Sequence, residues 1–141
     1  MFEKSYEERL AIWREFRESL ETSKDPIQDT INFYNRVPIS RLGADPYTPS
    51  TWPDPWELLQ ENIYCDFVKI LAICYTLQLT DVLSQSTYVI HTAYDNKKSG
   101  TYYILYVDDN VVGYLGDTYV FANELPNSIQ SHFEYTMPPL L

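Results

Sequence analysis

The chain has 141 residues, of which 45% are hydrophobic and 16% aromatic, and its formal net charge is −10. That length suits one domain able to bury a sizeable core, and the composition is far from a disordered one, so folding needs no metal or disulfide staple. The acidity excludes a surface built to displace counterions from nucleic-acid phosphates or to sit on anionic lipid.

The charge is uneven. Residues 1–30 carry eight acids against five bases. From Ser99 to Leu141 there is no lysine or arginine, while Asp108, Asp109, Asp117, Glu124 and Glu134 are present. Such acidity ordinarily serves solubility; a basic partner is the sharper reading. Cys65 and Cys74 have neither a CxxC spacing nor an accompanying histidine pair, so no zinc site is expected, and no cofactor motif occurs elsewhere. The N-terminal segment lacks the basic and apolar regions of a signal peptide. The longest apolar run, Ile70 to Tyr75, is too short to cross a bilayer, so the expected setting is a reducing cytoplasm.

In chain order, residues 5–24 predict an amphipathic helix. Ser5 and Glu8 form a capping box, and Tyr6, Leu10, Trp13, Phe16 and Leu20 recur at spacings of three and four. Asp25-Pro26 pairs a cap with a proline at the first helical position and predicts a second helix over 26–36, limited by Pro38. Residues 37–53 form a long connector punctuated by Pro38, Pro46, Pro49 and Pro53. Asp54-Pro55 repeats the cap signal and opens a helix over 55–79, which Asn62 either breaks or lies within. From Ile63 to Leu79 only a narrow side holding Asp66, Lys69 and Thr76, with Gln78 apart, is polar, so this is the expected central buried helix. The period then changes to two. Strands are expected over 87–94, 101–107, 111–115 and 118–122, with turns at Asp108-Asp109-Asn110 and Gly116-Asp117. The tail from Glu124 shows no clear pattern. The fold class is α+β: N-terminal helices packed on a C-terminal, three- to four-stranded antiparallel meander, in one domain.

One set of residues carries possible chemistry: Cys65, His91 and Asp108. A cysteine in the first turn of a helix is stabilised as thiolate. Thiol, imidazole and acid in this order resemble the arrangement in transglutaminase-like cysteine enzymes. The glycine common before that family's cysteine is Tyr64 here, and Thr92-Ala93 stand where an aromatic usually follows the histidine. A hairpin pairing Tyr94 with Thr101 would set His91 opposite Ile104, between Tyr102 and Tyr106, with Asp108 about 13 Å along the strand. A histidine–carboxylate hydrogen bond spans about 3 Å. Cys65 and Cys74, nine positions apart on one helix, would stand about 13.5 Å apart, too far for a disulfide. Cys74 falls on the apolar side and reads as a core residue. Asp108-Asp109-Asn110 fails the calcium-loop pattern, since Tyr119 occupies the position of the bidentate glutamate, and no metal site is expected.

The remaining candidates are aromatic. Trp52-Pro53-Asp54-Pro55-Trp56 places two tryptophans on a stiff backbone, and Tyr102 and Tyr106 share one face of a strand; such rigid rings are typical partner anchors. Thr51-Trp52-Pro53-Asp54-Pro55-Trp56-Glu57-Leu58-Leu59 and Ile73-Cys74-Tyr75-Thr76-Leu77-Gln78-Leu79 resemble stretches of small uncharacterised proteins of cyanobacterial tailed phages, the T4-like cyanophages. The resemblance implies a viral origin and carries over no catalytic residue. The leading expectation is a non-enzymatic protein-interaction domain, a virion or assembly component with other proteins as partners, binding neither membrane nor nucleic acid directly. The alternative is a cysteine hydrolase or acyltransferase using Cys65 and His91. A second alternative is an acidic inhibitor, or nucleic-acid mimic, binding a basic host protein.

Overall fold

Every α-helix begins at a side-chain cap that supplies an acceptor to an otherwise unpaired amide. In the computed structural model, which describes residues 1–140, Ser5 opens α1 (Tyr6–Leu20) by accepting from the Glu8 amide at 3.3 Å. Asp25 opens α2 (Pro26–Tyr34), accepting from the Gln28 amide at 3.1 Å. Asp54 and Glu57 form a reciprocal capping box on α3 (Pro55–Glu61). Cys65 opens α4 (Asp66–Gln78), its Sγ accepting from the Val68 amide at 3.5 Å.

The stretch expected as one helix over 55–79 is therefore two. Asn62 breaks it, taking a left-handed backbone (φ 53°) as the C-cap of α3. Two tertiary contacts favour the break over a continuous helix. The Asn62 side-chain Nδ2 donates to the Phe2 carbonyl at 2.7 Å. Arg9, only 8% exposed, donates to the Leu59 carbonyl at 2.9 Å and 3.1 Å and to the Gln60 carbonyl at 3.3 Å. Those carbonyls lie in the last turn of α3 and have no partner within the helix.

Helix α4 is the central buried rod: from Phe67 to Gln78 every residue but Lys69 is buried. Its one deep hydroxyl, Thr76, becomes a hub. Thr76 Oγ1 donates to the Ala72 carbonyl at 2.8 Å and receives Trp13 Nε1–H and the Tyr34 hydroxyl, each at 3.0 Å.

The sheet contains β1 (Tyr88–Asp95), β2 (Gly100–Val107), β3 (Asn110–Val112), β4 (Val120–Phe121) and β5 (Ile129–Thr136), in the order β4-β3-β2-β1-β5, all neighbours antiparallel. The first hairpin has the expected register, Tyr94 opposite Thr101 and His91 opposite Ile104. β3 and β4 are shorter than their sequence patterns. At Gly113 (φ 105°) the chain passes so close to β2 that a Cβ would lie 2.2 Å from the Tyr103 carbonyl oxygen. The tail supplies a fifth strand that the sequence pattern does not announce. Chain that leaves β4 at one edge returns to lie beside β1 at the other, as in a Greek key. One residue, His132, is extra where β5 passes Thr92 and Ala93, forming a bulge.

Strand alternation gives the sheet two faces. Tyr88, Ile90, Leu105, Val107 and Val112 join α2 and α4 in the main core. Ala93, Ile104 and Val111 form a second, smaller core on the opposite face, covered by Ala122 and Leu125 from the returning chain.

Candidate protein-docking site

The sheet separates the residues of the expected thiol site. Cys65 packs against the main core and shares a hollow with Tyr103, which pairs with Thr92 on the helix side. Its sulfur is engaged as the α4 cap and is overlaid by the connector at Gly43, where a Cβ would come within 2.3 Å of Sγ. His91 points to the other face. Its Nδ1 lies 2.8 Å from Ser131 Oγ, its Nε2 lies 3.7 Å from Glu134, and its ring is 4.8 Å from that of Tyr106. Burial pulls the His91 pKa below its ordinary value, with Glu134 opposing. Asp108, in a left-handed conformation (φ 52°), accepts from the Thr87 amide at 2.8 Å and so ties the end of β2 to the residue before β1. Cys65, His91 and Asp108 therefore do not assemble into a catalytic centre. Cys74 is fully buried, and that burial pushes its thiol pKa above the ordinary range, which suits a core residue.

The four aromatic candidates have different neighbours. Trp52 is half-buried and clamps the connector to the core: its Nε1 donates to the Asp45 carbonyl at 2.7 Å, and its ring lies 5.0 Å from Phe67 and 5.3 Å from Tyr135. Trp56 is 49% exposed and meets Trp13 edge-on at 6.3 Å. Tyr102 and Tyr106 are half-buried on the outer sheet face, Tyr102 beside Tyr114 at 5.7 Å. Trp52 and Trp56 thus form no joint patch, because each ring packs on its own partner.

A feature that could receive a partner is built by the connector. Ile39 pairs with Tyr64 in a short parallel bridge, and the Ser40 amide donates to the Tyr64 carbonyl at 2.6 Å. Further along, the Asp45 carboxylate accepts from the Tyr47 amide at 2.9 Å and the Thr48 hydroxyl at 2.7 Å, bonds that hold its pKa below the ordinary value. A single 3-10 turn, Pro49–Thr51, then leads to Trp52. Between these anchors the chain stands off α3 and leaves a groove of about 480 Å³. Leu42 and Trp52 from the connector and Ile63 and Val68 from the chain after α3 are among its lining residues. A hollow of about 470 Å³ adjoins it, sharing Gly43 and Ala44 and including Ile39.

Three apolar residues at this place are exposed. Leu42 is 68% exposed, Ile39 52% and Ile63 42%. The charged residues lining the groove are Glu57 and Glu61, both exposed and one helical turn apart on α3. Leu42, Ile63 and Glu61 escape sequence reasoning, because their convergence depends on how residues 39–44 fold back over 61–65. The visible signal was the presence of Ile39 and Leu42 in a connector with no core-facing period.

Among the described residues, no group of three or more His, Cys, Asp or Glu side chains is placed to hold a metal ion, and no helix is long and apolar enough to cross a membrane. Compared with known proteins, the chain matches no family model and no curated protein.

Proposed function

We propose that this chain is a protein-interaction domain, a virion or assembly component, whose connector groove receives a basic amphipathic segment of a neighbouring protein. One observation carries the reading: Leu42 and Ile63 are exposed together at a groove whose charged lining, Glu57 and Glu61, is acidic, while Ile39 is exposed in the adjoining hollow, which Arg41 and Asp66 also line. Exposed apolar residues rimmed by polar ones are the usual mark of a partner site. Glu57 and Glu61 select lysine or arginine beside the apolar contact, and a net charge of −10 opposes docking of a second copy.

The test uses a labelled fourteen-residue peptide with leucines on one helical face and lysines on the other, followed by fluorescence anisotropy. Ile63→Ser should weaken binding by about tenfold, and Glu61→Gln should reduce its salt dependence. Equal binding by Ile63→Ser would remove the groove from the account. Binding abolished by salt but indifferent to Ile63→Ser would instead support the acidic inhibitor.

A further inference from the structure

The two edges of the sheet are unequal. β4 spans only Val120–Phe121, whereas β5 spans Ile129–Thr136 and lies beside β1 alone. The ladder shows which of its backbone groups are free. The Met137 amide donates to the Tyr88 carbonyl at 2.8 Å, and the Asn96 amide to the Ser128 carbonyl at 3.0 Å. Hydrogen-bonded pairs alternate along an antiparallel ladder. With Ile90 opposite Tyr135 and Thr92 opposite Phe133, the odd-numbered residues after the bulge bond to β1. The N–H and C=O groups of Glu134 and Thr136 therefore point away from the sheet, and no other backbone segment among the described residues bonds to them. Gln130, Ser131, His132, Glu134 and Thr136 are all exposed.

Long edge strands are commonly blunted by lysine, proline or a bulge. β5 has no lysine or proline, and its bulge lies before the run from Phe133 to Thr136. An open edge with outward-facing amides and carbonyls is the docking element of strand addition, in which a partner's extended backbone completes the ladder.

We propose that the outer edge of β5, at Glu134 and Thr136, receives an extended, lysine- or arginine-bearing segment of another protein as a sixth strand. The charge pattern selects this occupant. Glu134 is the one acid on β5, no lysine or arginine lies between Ser99 and Leu141, and the chain as a whole carries −10, so a basic segment is attracted and a second copy is repelled. The proposal rests on the reading of the chain as an interaction domain, and it uses different residues from the connector groove.

The probe is a seven-residue peptide alternating lysine and valine, with amide hydrogen exchange of the full chain followed by NMR. The peptide should slow exchange at Glu134 and Thr136. Thr136→Pro should keep the fold, because its amide faces outward where proline is tolerated, and should weaken peptide binding by about tenfold. A peptide N-methylated throughout cannot extend the ladder and should not protect these amides, a control that leaves the protein unaltered. Ile63→Ser should leave the protection unchanged, which separates this edge from the groove. The proposal is overturned by unprotected Glu134 and Thr136 amides at high peptide concentration, by equal protection from the methylated peptide, by loss of protection in Ile63→Ser, or by a dimer that protects the same amides without peptide.

Discussion

Thr76 shows how much one hydroxyl can hold. Its proton goes to the Ala72 carbonyl, so Trp13 Nε1–H and the Tyr34 hydroxyl both depend on its oxygen. Thr76 is fully buried and Tyr34 nearly so, and burial pushes the Tyr34 phenol pKa up to about 12. Thr76→Val keeps the shape and leaves two buried donors unpaired, at a cost of about 2–4 kcal/mol. Urea unfolding should report that loss as a lower midpoint with an unchanged slope. From the sequence, Thr76 reads as part of a narrow polar side of α4. Its burial depends on Trp13 and Tyr34, which come from two other helices, and helical periodicity alone does not reveal that. The same limit applies to Cys65. Its position at the start of a helix is legible, but the sheet that stands between it and His91 becomes visible only with the strand pairing.

Among the elements, those defined by local chemistry are the most legible. Ser5, Asp25 and Asp54 each cap the helix expected after them, and the β1–β2 register follows from a symmetric hairpin. The break between α3 and α4 depends on Asn62, whose left-handed backbone costs an ordinary residue about 1–2 kcal/mol. Asn62→Ala should destabilise the fold by about 2 kcal/mol, and Asn62→Gly by about 1 kcal/mol less than that, because glycine accepts the conformation while also losing the bond to the Phe2 carbonyl. Thermal unfolding of the two variants checks the order; equal losses would show that the backbone angle is not what sets the break. β5 was hidden for a different reason. Phe133 and Tyr135 alternate as a strand should, but the extra His132 shifts the pattern before them, and the partner strand β1 lies far back in the sequence.

At the scale of the molecule, helices cover one face of the sheet and the chain returning from β4 covers much of the other. Most aromatic rings are used internally by this arrangement: Trp52 packs on Phe67, and Phe16 stacks on Phe33 at 4.0 Å. The tyrosine- and tryptophan-rich composition therefore says less about partner binding than it first implies. The exposed apolar residues at the connector groove say more, and they lie in a loop whose path no local pattern encodes. Hydrogen exchange on the chain in complex with its neighbours, isolated from the natural source, tests this account most directly. It predicts that residues 39–44 and 57–63 exchange more slowly in the complex than in the free chain; unchanged exchange in both segments, with slowing elsewhere, would contradict it.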